Sequence, residues 1–127
     1  MTRVALVALG GAIGSVARYG VGALAAQLLG PTFPWGTLFV NLSGSFLIAL
    51  VMHVALAGTA ISLEMRIFLT TGILGGFTTY SSFNYETLAL IDQRAYALAS
   101  LNLAATVVGC LLAGVLGLAS ARALAGA

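Results

Sequence analysis

Residues 72–83, reading GILGGFTTYSSF, carry the residue types in this chain that are best suited to chemistry. They place three glycines and five consecutive hydroxyl-bearing residues, from Thr78 to Ser82, in the middle of an apolar segment. Gly and Thr are poor helix formers, and Ser and Thr side chains compete for backbone hydrogen bonds. We therefore predict a break in a helix here. Non-helical backbone at membrane depth is tolerated only where it is buried in protein or lines a watery cavity, so the break is the first candidate for a functional site.

Polar residues also recur at helical spacing in the apolar segments on either side. The spacings i, i+4 and i+8 put such residues on one face of a helix. The three sets are Thr37, Asn41 and Ser45; Asn102, Thr106 and Cys110; and Thr79, Ser82, Phe83 and Glu86, with Tyr80 beside Phe83. Each set alone is better explained by hydrogen bonds that hold a helix bundle together. All three beside a helix break favour a narrow permeation path.

The chemistry of these residues suits a small anion. Asn amides and Ser and Thr hydroxyls are neutral donors, and aromatic ring edges carry positive quadrupole charge. Arg18 either adds positive potential at one mouth of the path or anchors its helix at the interface. Glu86 is either a carboxylate along the path or an interfacial residue. No nucleophile–base pair, metal-ligand cluster or phosphate loop occurs in the sequence, so we do not expect an enzyme.

Composition defines the elements that must position these residues. The chain has 127 residues, of which 61% are hydrophobic and 6% are charged, and its mean hydropathy is +1.10. A soluble domain needs more charge on its surface, and five scattered arginines form no stripe that would bind nucleic acid. Four apolar runs have about the length needed to cross a bilayer: residues 4–28, 34–56, 62–90 and 96–124. We predict one all-α transmembrane domain, residues 1–127, with four helices and a break in the third.

Orientation in the membrane is poorly specified by charge. Four spans put Arg3, Arg66 and Arg122 on one side of the membrane and Arg94 on the other. Arg18 joins Arg94 if its side chain snorkels toward that side. Three arginines against two is a weak positive-inside signal. Both a single orientation and insertion in both orientations, which would allow an antiparallel dimer, are compatible with it. Small residues four positions apart suit close helix packing within one chain or between copies, and we expect a homo-oligomer.

The sequence resembles the CrcB/Fluc fluoride channels along nearly its whole length. Three motifs carry the resemblance: Gly10-Gly11-Ala12-Ile13-Gly14 with Arg18, Trp35-Gly36-Thr37-Leu38 with Asn41, and Gly75-Gly76-Phe77-Thr78-Thr79-Tyr80-Ser81-Ser82-Phe83. The resemblance implies a dual-topology, antiparallel homodimer with two pores in the cell inner membrane, which exports fluoride passively from the cytoplasm. It also implies a structural sodium ion at the dimer centre.

The same resemblance assigns roles to individual positions. Gly75 and Thr78 match the positions whose backbone carbonyls hold the sodium, and Asn41 matches the pore-lining amide. Tyr80 and Phe83 match the two aromatic positions whose ring edges face fluoride. The implied polar track beside them consists of Thr37, Ser82, Asn102, Thr106 and the carboxylate of Glu86. Tyr80 departs from the family pattern, which most often has Phe there, and its hydroxyl needs a partner.

Two other classes of protein remain as alternatives. A small multidrug transporter has a similar length, but the glutamate typical of its first span is absent here. A membrane assembly subunit that conducts no ions is the second alternative.

Overall fold

Helices dominate the computed structural model, which describes residues 1–58 and 60–126. The elements are α1 Thr2–Leu29, α2 Trp35–Ala57, α3 Leu63–Ile67, a π-helix Phe68–Leu74, α4 Gly75–Phe77, α5 Tyr80–Asp92 and α6 Tyr96–Leu124. The described ranges contain no strand, so the prediction of an all-α protein is confirmed. Helical segments begin and end within two residues of the four predicted runs. Residues 59 and 127 of the predicted domain lie outside the described residues.

Three of these helices are long and apolar enough to cross a membrane. They are α1 with 28 residues, α2 with 23 and α6 with 29, and each holds an 18-residue window of high hydropathy. Few residues in these windows are buried inside the chain, so most of their apolar surface faces outward. Outward apolar faces are what a lipid environment requires. The chain is therefore an integral membrane protein.

The third predicted run, residues 62–90, is a broken helix. It passes through α3, the π-helix and α4, stops at Thr78 and Thr79, and resumes as α5. The backbone is extended at both residues, with φ and ψ of −84° and 158° at Thr78 and −155° and 117° at Thr79. The predicted break is confirmed. The π-helix directly before it was not predicted. Such segments are rare in proteins overall, and those that occur are often found at functional sites.

Glycines let α1 lie directly against the first half of the broken helix. A Cβ atom added to Gly10 would lie 2.8 Å from the Cα of Gly72, and one added to Gly76 would lie 2.5 Å from the carbonyl oxygen of Gly11. Real Cβ contacts are not that short, so these backbones touch only because both sides lack a side chain. The four-residue spacing of small residues thus serves packing within one chain. This contact sets the position of α4 along α1.

Candidate functional site

Asn41 on α2 holds the break in place through both ends of its amide. Its Nδ2 donates to the carbonyl oxygen of Thr79 at 2.9 Å, and its Oδ1 accepts from the backbone N–H of Thr79 at 2.8 Å. Asn41 is 8% exposed. The side chain therefore replaces the helical partners that Thr79 lacks, which sequence reasoning did not anticipate. One N–H of this amide and one lone pair of its oxygen remain available for other contacts.

The bonds made at Thr79 free two carbonyl groups. In a continuous helix the carbonyls of Gly75 and Thr78 would accept from the N–H groups of Thr79 and Ser82. The N–H of Thr79 is instead bonded to Asn41, and that of Ser82 to the hydroxyl of Thr79 at 3.2 Å. Thr79 is thus the N-cap of α5, and this cap diverts the donor that Thr78 would otherwise use. These are the two carbonyls that the resemblance assigns to a cation.

Thr78 fits the break by its side chain as well as its backbone. Its hydroxyl donates to the carbonyl oxygen of Leu74 at 2.9 Å. Its methyl group packs against Gly44 of α2, where an added Cβ would collide with it. Gly44 was not singled out from the sequence. The lack of a side chain at this position of α2 makes the room that the extended backbone needs.

Arg18 lies at the depth of the break and not at the end of its helix. It is near the middle of α1, and its Nε donates to the carbonyl oxygen of Gly76 at 3.0 Å. A guanidinium at the C-terminal end of α4 also interacts favourably with the carbonyl dipoles there. Neither of the two sequence interpretations, a pore mouth or an interfacial anchor, described this contact.

Two clefts meet at the break and share Thr79. The first, called here the Arg18 cleft, lies between α1, α2 and the start of α5; its polar lining consists of Ser15, Arg18, Tyr19, Thr37, Thr79 and Ser82. The second, called here the Phe83 cleft, lies between α2, α5 and α6; its polar and aromatic lining consists of Asn41, Ser45, Thr78, Thr79, Tyr80, Phe83 and Thr106. The predicted site residues other than Glu86, Gly75 and Asn102 are thus found in these two clefts.

Glu86 bonds to the predicted polar face of α2. Its Oε1 accepts from the Thr37 hydroxyl at 2.7 Å, and its Oε2 is buried without a partner among the described residues. Both residues also line a further cleft toward the end of α5, which includes Gln93. Because Thr37 belongs to this cleft and to the Arg18 cleft, polar groups continue from the break toward that end of the protein.

The two aromatic residues of the Phe83 cleft differ sharply in burial. Their ring centroids are 5.7 Å apart in an edge-to-face arrangement. Phe83 is 4% exposed, whereas Tyr80 is 79% exposed. Contacts within this chain therefore bury Phe83, whereas the Tyr80 ring projects from the surface of the chain. The partner that the Tyr80 hydroxyl needs was not found among the described residues.

The two polar residues of α6 also have different surroundings. Thr106 lines the Phe83 cleft, and its buried hydroxyl has no hydrogen-bond partner in the described part of the chain. Asn102 is 1% exposed and donates to the Thr87 hydroxyl at 2.9 Å. Sequence reasoning missed Thr87. Its position four residues after Phe83 puts it on the same face of α5, which was the available signal.

Together, the fold and these contacts define a small polytopic α-helical membrane protein with a broken helix and polar clefts on both sides of the break. A family model described as "CrcB-like protein, Camphor Resistance (CrcB)" matches residues 5–118. This match covers most of the chain, which therefore belongs to the CrcB family.

Curated relatives are similar over most or nearly all of this chain. A protein of Anaeromyxobacter sp. (strain K) is 55% identical over 99% of this chain and 100% of its own length. One from Sorangium cellulosum (strain So ce56) is 49% identical over 93% of each chain. One from Thermus thermophilus is 61% identical over 72% of this chain and 73% of its own. Each of these relatives is named "Fluoride-specific ion channel FluC".

Proposed function

We propose that this protein is a fluoride-specific ion channel through which fluoride leaves the cytoplasm passively across the cell inner membrane. The observation that carries the proposal is the 55% identity, over 99% of the chain, to a relative named as a fluoride-specific channel. The Phe83 cleft agrees with it chemically. Its polar lining consists of uncharged hydroxyl and amide groups and contains no carboxylate, which suits an anion better than a cation.

The proposed path uses groups that this chain leaves without partners. Asn41, which has one free N–H, Thr106, whose hydroxyl is unpaired among the described residues, and Phe83 all line one cleft. A small anion passing there would exchange water for donors and a positive ring edge. Tyr80 would extend this wall. Thr37, Ser82 and Glu86 would continue it along the other side of α5, with Arg18 providing positive potential at its deepest point.

The broken segment serves as a fourth membrane span in this proposal. Its helices of 5, 7, 3 and 13 residues have a combined length on the order of 40 Å at about 1.5 Å per residue. This exceeds the hydrocarbon core of a bilayer, which is about 30 Å thick. The break would then lie near the middle of the membrane, where exposed main-chain polar groups need partners.

A second copy of the chain would complete the path. Gly75 is exposed and has a helical φ of −62°, and a Cβ added there would meet only the Thr70 carbonyl oxygen at 3.5 Å. Nothing within one chain therefore requires a glycine at this position. A glycine with a freed carbonyl on an apolar surface is suited to close approach by another backbone. Tyr80, which is 79% exposed, would be covered by the same contact.

We place the two copies antiparallel, with a structural sodium ion between them. The freed carbonyls of Gly75 and Thr78 fit a hard cation, which prefers oxygen ligands. Two carbonyls from each copy would hold the ion around a two-fold axis in the membrane plane. Sodium would supply positive charge to main-chain dipoles that are otherwise costly in a dry environment. Arg18 is bonded at the break, so Arg94 lies alone on one side of the membrane and three arginines lie on the other. Of the parts of this proposal, insertion in both orientations therefore has the least support from charge.

The experiment that tests the function is ion flux through the purified protein in liposomes. Fluoride efflux, followed with a fluoride electrode, should be at least about a hundredfold faster than chloride efflux under the same gradient. Protein-free liposomes and liposomes containing the Phe83→Ile variant are the controls. Equal fluoride and chloride flux would exclude a fluoride-selective channel. No flux at all would favour the non-conducting subunit, and proton-driven uptake of a cationic dye would favour the transporter.

A further inference from the structure

A buried chain of hydrogen bonds runs from α6 to the backbone of α5. The Nδ2 of Asn102 donates to the Thr87 hydroxyl at 2.9 Å, and that hydroxyl donates to the carbonyl oxygen of Phe83 at 2.8 Å. Asn102, Thr87 and Phe83 are 1%, 5% and 4% exposed. In residues 1–58 and 60–126, no other side-chain hydrogen bond joins α5 and α6. The two helices are therefore tied at one buried point.

This point sets which residue of α6 faces Phe83. The short turn after Asp92 makes α5 and α6 an antiparallel pair. Phe83 lies one helical turn before Thr87, and Thr106 lies one turn after Asn102, so the same two faces meet again one turn deeper. Phe83 and Thr106 both line the Phe83 cleft. The tie between Thr87 and Asn102 therefore fixes the height of the Phe83 ring relative to the unpaired Thr106 hydroxyl.

A polar pair fixes this register more narrowly than an apolar pair. Hydrogen bonds weaken steeply outside a small range of distance and angle, whereas apolar contacts tolerate sliding and rotation. A buried amide inside a membrane protein also needs its partner, because no water replaces it. Setting the register of packed helices is the best-attested role of buried polar residues.

We propose that Thr87, together with Asn102, is a positioning residue for the fluoride path. Neither side chain touches the ion in this proposal. Thr87 holds the Phe83 backbone, and Asn102 holds Thr87, so that the ring edge and the Thr106 hydroxyl face the same point. The inference rests on the proposed function, because it assumes that Phe83 forms part of the path.

Thr87→Val tests this role with little change in shape. Valine keeps the branched side chain and removes the hydroxyl that joins Asn102 to Phe83. We expect fluoride flux to fall at least about tenfold, with a lower ratio of fluoride to chloride flux, because small misplacement of positioned groups has large effects. Thr87→Ser keeps the hydroxyl and should restore flux to within about twofold of the wild type.

Thr70→Val is the matched control. The Thr70 hydroxyl is also buried and donates to a carbonyl four residues earlier, that of Arg66, at 2.8 Å, but no residue of another described helix donates to it. Its removal should leave flux and selectivity unchanged. Equal losses in Thr70→Val and Thr87→Val would show that any buried threonine matters, which would overturn the positioning role.

A double variant removes the remaining ambiguity about folding. Thr87→Val with Asn102→Leu removes both polar side chains of the pair and leaves no unpaired amide, so it should fold as a monodisperse protein. We expect its flux and selectivity to be no lower than those of Thr87→Val alone, because the two residues act as one unit. Wild-type flux and selectivity in either folded variant would overturn the proposal, and so would failure of the double variant to fold. Fluoride flux through the wild type, measured in parallel, tests the proposed function separately.

Discussion

The two halves of the broken helix are attached to the rest of the chain by different means. The first half, from α3 to α4, lies against α1 through glycines whose backbones touch, as at Gly10 and Gly72. The second half, α5, is tied by side-chain hydrogen bonds to α2 through Thr37 and to α6 through Asn102. Asn41 adds a third tie at its start. Close packing builds the scaffold, and polar bonds orient the half that carries the aromatic residues.

This difference separates the expected consequences of mutation. Backbone contacts between glycines leave no room for relaxation, so changes in the first half should reduce the amount of folded protein. Removing a hydrogen-bonding group from a side chain of α5, by contrast, adds no bulk to a packed contact. Changes in α5 should therefore leave the protein folded and alter the passage of ions.

The largest effect is expected for Gly76→Val in the first half. The new side chain would collide with the Gly11 carbonyl oxygen, which lies 2.5 Å from the position that a Cβ atom would take. Overpacking of this kind destabilises by about 1–3 kcal/mol or more, and neither backbone can yield. Most of the folded protein should be lost, as measured by the yield of a monodisperse peak in detergent.

Gly20→Val is the control for this effect. No atom of the described chain lies within 4 Å of a Cβ added at Gly20, so the variant should be recovered at wild-type yield. If Gly76→Val is also recovered at wild-type yield, close glycine packing is not what holds the first half.

The next largest effect is expected for Phe83→Ile in the second half. Isoleucine fills the buried position but has no ring edge, so we expect fluoride flux to fall at least about a hundredfold while the protein remains folded. Phe39→Ile is the control, because Phe39 lies on α2 with 57% of its surface exposed. Wild-type fluoride flux through folded Phe83→Ile would remove this residue from the path.

An intermediate effect is expected for Gly75→Val, at an exposed position near the end of the first half. One chain has room for the side chain, so monomer folding should be retained. The proposed approach of a second copy has no such room, and dimer formation should weaken by roughly 1–3 kcal/mol. Dimer fraction in sodium-containing and sodium-free buffer measures this.

Thr78→Ser serves as the comparison for Gly75→Val, because the backbone carbonyl and not the side chain is the proposed ligand. It should dimerise like the wild type. A full dimer fraction for Gly75→Val would exclude this surface as the contact between copies, and no dependence of the wild type on sodium would argue against the cation.

The smallest effects are expected at Arg18, which links α1 to the end of the first half. Arg18→Leu removes the donor to the Gly76 carbonyl and should lower stability by about 0.5–1.5 kcal/mol, because this hydrogen bond is only part-buried. Arg18→Gln keeps an N–H donor without the charge. It should fold better than Arg18→Leu but show several-fold lower fluoride flux and weaker dependence on ionic strength, in line with loss of local potential.

Thermal unfolding and flux at two salt concentrations distinguish these roles. Identical stability of the leucine and glutamine variants would contradict the bond to Gly76. Wild-type flux and salt dependence in Arg18→Gln would show that the charge has no part in ion passage.

Much of the fold could be predicted because it depends on local properties. The membrane class follows from composition, and the helix ends follow from apolar run length. The break follows from the cluster of glycines and hydroxyl residues around Thr78. The π-helix was missed, and it lies where α1 packs directly against Gly72, a contact between residues that are distant in the sequence.

The polar residues inside the apolar segments, and the point where the third helix stops, can be read from the chain directly. Their partners cannot be read in this way: Asn41 bonds to the Thr79 backbone, Arg18 to Gly76, and Asn102 to Thr87. The physical reason is that helix formation depends on neighbouring residues. A hydrogen bond between helices depends on their rotation and register, which the close packing of distant glycines sets.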